Sequence, residues 1–145
     1  VGAAAAVESC ADLQPLLFRI QKDLLALGAD LATPAGTAHG SITVMRMCGE
    51  STSRLEKEID SLEAELEPLT RFILPGGHPQ AAALHVARAV CRRAERELVA
   101  FRDGDEQETN PELLKYLNRL SDLLFVAARI ANSRNGISDV LWFSE

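Results

Sequence analysis

Leucines and other apolar residues recur at three- and four-residue steps in four separate blocks of this 145-residue chain, and glycine or proline divides the blocks. Such steps place side chains on one helix face, whereas a half-buried strand needs alternation, which no segment shows. Leu13, Leu16, Leu17, Ile20, Leu24, Leu27 and Leu31 predict a helix over about 11–31, and Phe18 and Leu25 widen its apolar face. Thr33-Pro34 ends it, because the residue before proline is driven out of helical dihedrals. Pro34, Gly36, Gly40 and Gly49 make 33–50 a loop, in which Ile42-Thr43-Val44 can form a short extended piece. Ser53-Arg54-Leu55-Glu56 has the form of a capping box, and Leu55, Ile59, Leu62, Leu66 and Leu69 follow as one stripe with acids opposite. Pro75-Gly76-Gly77 precedes a helix over about 80–101 that exits at Gly104. Asn110-Pro111 opens the last helix, with Leu113, Leu117, Leu120, Leu124 and Ala127 as its stripe and Asn135-Gly136 as its stop. The apolar tail Val140-Leu141-Trp142-Phe143 has no place in this periodicity. Residues 1–7 read as a helix entered partway along. The expectation is an all-α, single-domain bundle over residues 1–145, with four full helices and a truncated first one.

Hydrophobic residues make up 47% of the chain, enough for a core that buries roughly 68–70% of the unfolded surface without staples. The 15 basic and 21 acidic residues give a net charge of −6, which argues against a general nucleic-acid surface. A local anion site remains open, because a few arginines can gather on one face of an acidic protein. Cys10, Cys48 and Cys91 lack metal-ligand spacing, and an odd, scattered set fits a reducing compartment. No apolar run reaches the ~20 residues that cross a bilayer, and residues 1–7 lack the basic flank of a signal peptide.

Chemistry concentrates on the last two helices. His85, Arg88, Arg92, Glu95 and Val99 share one face, and Arg93 and Arg96 add positive charge beside it. Like charges one turn apart repel, so this face needs anionic partners. Interhelical or intersubunit salt bridges would serve, and so would a ligand phosphate gripped by guanidinium groups. Asn118, Asp122, Phe125 and Arg129 form a matching polar-aromatic stripe on the last helix. Asp122 reads most simply as a partner for an arginine of the preceding helix. Asn118 is the better functional candidate, since helix propensity gives no reason for an asparagine there. His85 has no second ligand at metal spacing and is given no metal role. No P-loop, GxGxxG or Ser/His/Asp set is present, and the chain shows no covalent nucleophile.

Three strings carry a resemblance: Arg71-Phe72-Ile73-Leu74-Pro75-Gly76-Gly77, then His85-Val86-Ala87-Arg88-Ala89-Val90-Cys91-Arg92-Arg93-Ala94-Glu95-Arg96, then Tyr116-Leu117-Asn118-Arg119-Leu120-Ser121-Asp122-Leu123-Leu124-Phe125. In that order and spacing the chain resembles the PduO-type cob(I)alamin adenosyltransferases over about residues 11–143. Ile20-Gln21-Lys22-Asp23-Leu24 and Gly28-Ala29-Asp30-Leu31-Ala32-Thr33-Pro34 also fit. The resemblance implies a five-helix, ferritin-like up-down bundle forming a homotrimer with active sites between subunits. It implies that ATP, with Mg²⁺, gives its 5′-deoxyadenosyl group to the cobalt of cobalamin, and the reduced cobalt is then the nucleophile. Arg92, Arg93, Glu95, Arg96 and Asn118 match the ATP-binding positions. Phe72, Arg88, Asp122, Phe125 and Phe143 match the corrinoid side, with Trp142 as the alternative to Phe143. Arg88, Arg92 and Phe72 are the catalytic candidates, Phe72 as the wedge that displaces the lower axial ligand of cobalt. No metal ligand is implied.

The sequence departs from the family at its front. The Thr/Gly/Asp-rich nucleotide loop, and the aspartate that pairs with Arg88, are not found in residues 1–10. A non-catalytic corrinoid carrier or sensor on the same bundle is therefore the alternative function. Expected partners are a flavoprotein reductase and an adenosylcobalamin-dependent enzyme, with neither nucleic acid nor membrane. The expected location is the cytoplasm, or the mitochondrial matrix if a transit segment precedes this sequence.

Overall fold

The computed structural model of the chain describes residues 1–7, 12–33, 46–104 and 109–143. Five helices appear there: α1 (Gly2–Ala5), α2 (Leu13–Leu31), α3 (Gly49–Glu63), α4 (Pro79–Gly104) and α5 (Pro111–Arg134). Ile42-Thr43-Val44 and Cys10 lie outside the described residues.

α5 is the hub, in contact with α2, α3 and α4. Leu113, Leu117, Leu120, Leu124 and Ala127 are all buried as their spacing predicts, but so are Tyr116, Leu123, Val126, Ile130 and Ala131. A helix covered on so many sides is central to its bundle. Its start follows the sequence closely: the Asn110 side chain accepts from Glu112 N at 3.0 Å, and Pro111 takes the first helical position. Its end does too. Gly136 has φ +69°, Ile137 N donates to Asn132 O and Gly136 N to Ser133 O, each at 3.0 Å, which is the Schellman arrangement.

Cross-contacts set helix directions. Arg88 lies over Phe125 and Glu95 touches Asn118, so α4 and α5 are antiparallel. Arg19 meets Glu58 and Arg54 meets Asp23, so α2 and α3 are antiparallel as well. Tyr116 Oη donates to Asp23 Oδ2 at 3.0 Å while Asn110 reaches Asp30, which runs α2 against α5. Successive long helices thus alternate in direction.

Two expectations for the acidic helix need correction. α3 begins at Gly49, with Cys48 in an extended conformation and no side-chain cap, so Ser53 is an interior residue and not a capping-box serine. α3 also ends at Glu63, leaving Leu66 and Leu69 beyond it. Pro68 keeps the helix from running on through Leu69, since it disfavours helical dihedrals at Glu67. The apolar tail supplies a feature that periodicity could not show. Ile73 and Leu141 form an isolated antiparallel bridge, flanked by Leu74 N→Val140 O and Trp142 N→Phe72 O, both 2.8 Å.

Candidate functional site

α4 buries Ala81, Leu84, His85, Cys91 and Leu98, steps of three, one, six and seven residues that keep one stripe on the core. Arg88, Arg92, Arg93 and Arg96 are left on the exposed side. Arg88, Arg92 and Arg96 follow at four-residue steps, about 6 Å of rise each, and form a cationic ridge. The antiparallel register brings one end of that ridge level with Phe125 and the middle level with Asn118.

The ridge is only lightly neutralised. Arg92 Nη1 donates to Glu95 Oε2 at 2.5 Å, and the other Glu95 oxygen accepts from Asn118 Nδ2 at 2.8 Å. Glu95 thereby fixes Arg92 and Asn118 in one constellation, leaving the Asn118 side-chain oxygen outside it. Arg93 and Arg96 make no ion pair among the described residues. Asp122 does not pair with an α4 arginine: it accepts from Arg119 of its own helix at 3.0 Å, and Arg119 also reaches Glu56. Three residues separate Arg119 and Asp122, so the local pair forms without any help from packing.

Beyond Arg88 the surface turns apolar and aromatic. The Arg88 guanidinium lies over the Phe125 ring at 5.2 Å, which offsets its charge with the ring's electron-rich face. Both line a cavity of about 720 Å³ whose opposite wall is Leu69, Arg71, Phe72, Ile73 and Trp142. Phe72 is 80% exposed although it is large and apolar, and Trp142 is 49% exposed. Phe143 is not in that wall: it sits under the Arg71 guanidinium at 5.0 Å. A larger hollow of about 830 Å³ lies between α2 and α4, but its lining offers no charged side chain.

His85 stands behind Phe125, edge to ring at 6.2 Å. It is 9% exposed, and its Nε2 has no hydrogen-bond partner among the described residues. Burial, helped by the Arg88 charge, pulls its pKa below the ordinary 6.5, against an opposing pull from Asp139. Cys91 is inert by the same physics: burial, with Glu95 beside it, pushes the thiol up to about 11. No group of three metal-ligating side chains stands together among the described residues.

The structure therefore brings Arg88, Arg92, Glu95, Asn118, Phe72 and Phe125 onto one continuous surface, with Arg93, Arg96 and Asp122 at its margins. Sequence reasoning missed Arg71 and Leu69, which enter only because the 66–74 segment folds back over α4 and α5. Polar contacts at one end and a broad aromatic slot at the other suit a bound group that is anionic in one part and flat and apolar in the next. The fold and this surface define an all-helical protein with an arginine ridge beside an aromatic cavity. A sequence profile described as cobalamin adenosyltransferase matches residues 1–131, and the chain belongs to that family. It is 45% identical over 129 residues to a corrinoid adenosyltransferase of Bacillus subtilis, covering 89% of this chain and 63% of that protein. It is 43% identical over 143 residues to one of Mycobacterium tuberculosis, covering 98% and 72%. A variant PduO-type ATP:corrinoid adenosyltransferase from Lactobacillus reuteri, solved with cobalamin and ATP, superposes with a TM-score of 0.87 at 36% identity, covering 98% of this chain and 77% of that one. The chain thus spans less than two thirds of the length of the Bacillus relative.

Proposed function

We propose that this protein is an ATP:cob(I)alamin adenosyltransferase. The observation that carries the reading is the arginine ridge of α4 running directly into the aromatic cavity at Arg88 and Phe125. In this reading Arg92, Arg93 and Arg96 hold the triphosphate of ATP, and Glu95 with Asn118 orients Arg92 and the nucleotide. Phe72, Arg88, Asp122 and Phe125 face the corrinoid, with Trp142 or Phe143 closing the edge. The cobalt of reduced cobalamin attacks the ribose C5′ of ATP. A cobalt–carbon bond forms, the C5′–oxygen bond breaks, and its electron pair leaves with triphosphate. Guanidinium groups fixed beside the leaving group offset the charge it gains, a contribution that needs no protein nucleophile. Phe72, exposed and apolar, is the wedge on the lower face of the corrin ring, where it removes the axial ligand and eases reduction of cobalt(II).

Mg²⁺ would ride on the triphosphate. The assembly is a homotrimer of ferritin-like up-down bundles, each chain a single domain over residues 1–145, with active sites between subunits. Its partners are a flavoprotein reductase and an enzyme that uses the product. We place it in the cytoplasm, with the mitochondrial matrix as the alternative. No described helix is long and apolar enough to cross a membrane.

The test is to supply the protein with ATP, cobalamin and a reductant and to follow the corrinoid absorbance. Conversion to adenosylcobalamin supports the proposal. A spectral shift on binding without conversion would mark a carrier or sensor, and the lack of any shift would remove both readings.

A further inference from the structure

Phe72 and Trp142 sit on a ribbon that cannot hold itself. Residues 72–74 and 140–142 share two backbone hydrogen bonds and one bridge, too little for an independent two-stranded unit. Burial does not hold it either: Phe72, Leu74, Val140 and Trp142 are 80%, 49%, 60% and 49% exposed. Its position has to come from outside the ribbon.

α5 supplies that hold from one buried guanidinium. Arg129 is 8% exposed; its Nε donates to Asp139 Oδ2 and one Nη donates to Glu67 O, both at 2.7 Å. Asp139 lies three residues before Trp142, and Glu67 five before Phe72. One side chain therefore grips the chain ahead of both strands. The planar fork of arginine suits two acceptors in fixed directions, which the point charge of lysine does not. One turn along α5, Asn132 accepts from His78 N at 2.8 Å and donates to Gly76 O at 3.0 Å, fixing the exit from the first strand. Gly77 has φ +100°, and a Cβ there would stand 2.2 Å from Asn132 Oδ1, so this turn and α5 are fitted to each other.

We propose that Arg129 and Asp139 are the positioning residues of the corrinoid wall, setting the height and angle of Phe72 and Trp142 above Phe125 and Arg88. A tie made only for stability gains little from a buried ion pair, since well-packed apolar side chains do as well or better. Direction is what the ion pair adds. The second Asp139 oxygen, Oδ1, is buried with no hydrogen-bond partner among the described residues, as is Nε2 of His85 behind Phe125. The inference rests on the proposed function for its substrate and on geometry alone for the hold.

Arg129→Lys keeps the cation but loses the fork, and Asp139→Asn keeps the shape but loses the charge. Each variant is measured in two ways beside the parent protein. Acrylamide quenching of Trp142, the single tryptophan of this sequence, reads the ribbon without any substrate. Initial rates then give KM for cobalamin and for ATP separately. Quenching is expected to rise, and KM for cobalamin to rise about tenfold with KM for ATP within about twofold, the size of one lost charge-assisted hydrogen bond. Unchanged quenching overturns the proposal, and so does a proportional loss for both substrates together with a lower unfolding temperature. If Arg129→Lys does not fold, Asp139→Asn decides alone. If the parent protein makes no adenosylcobalamin, the functional reading fails, and quenching still judges the hold.

Discussion

Each end of α5 is met by an aspartate, buried at one end and partly buried at the other, and the two are treated differently. Near the N-terminus, Asp30 is 1% exposed and accepts from Arg46 Nη1 at 2.7 Å, Met47 N at 2.7 Å and Asn110 Nδ2 at 2.8 Å. Both oxygens are used, and the donors come from two separate stretches of chain. Near the C-terminus, Asp139 takes one side-chain donor among the described residues, Arg129, and its Oδ1 has no partner there. Burying a carboxylate with all its donors locks a joint; burying one partly served costs stability that packing elsewhere must cover. The locked end lies at the start of α5, and Asp139 at the other end precedes the exposed Trp142 and Phe143.

The largest effect expected from that contrast is at Asp30. Asp30→Ala should cost about 3 kcal/mol in urea unfolding, because Met47 N and Asn110 lose a charged acceptor in a buried place. Burial pushes the Asp30 carboxyl up, but the bonds from Arg46, Met47 N and Asn110 outweigh it and hold the group below its ordinary 3.8. A depressed carboxyl contributes fully above its unfolded value and loses that contribution as pH falls through the folded one. The gap between parent and variant should therefore stay constant above about pH 5 and close below about pH 4. A gap that persists at low pH would break the locked-joint account.

A smaller effect belongs to the open end. His85 is depressed below 6.5, chiefly by burial, so the unfolded chain takes up the proton first. Stability should fall as pH drops below 6.5, and His85→Gln should flatten that slope. Equal slopes in both proteins would show that His85 does not feel its site. Smallest of all is Phe72→Ala. With the ring 80% exposed, unfolding should shift by no more than about 0.5 kcal/mol while corrinoid conversion collapses. A large loss of stability would place Phe72 in the scaffold instead.

The same contrast accounts for what the sequence disclosed. The core of α2, α3 and α5 was legible because a stripe of leucines at helical spacing has one physical meaning. The Asn110-Pro111 start was legible because a cap is local chemistry. Ser53 misled because a Ser-x-x-Glu string serves equally well inside a helix, and the true start at Cys48 has no side-chain cap to announce it. The extended turn from Leu66 to Leu74 had its signal in Pro68, which the leucine spacing overrode. The arginine face, Asn118 and Phe125 stood out as polar or aromatic residues on apolar helices. Asp122 was assigned to the wrong partner because two acceptable arginines lay within reach and spacing could not rank them. Arg129 was visible on the stripe, yet its task depends on Glu67 and Asp139, which only the folded ribbon brings to it.

The central claim is that the α4 guanidinium groups clasp the phosphates of ATP beside a corrinoid slot. Arg92→Ala tests it most directly, in an assay of adenosylcobalamin formation with saturating ATP and reduced cobalamin. The account predicts at least about a hundredfold loss of rate, as when one fixed donor to a developing anion is removed, with helical circular dichroism unchanged. A rate within about threefold of the parent, in a protein equally helical, would contradict it.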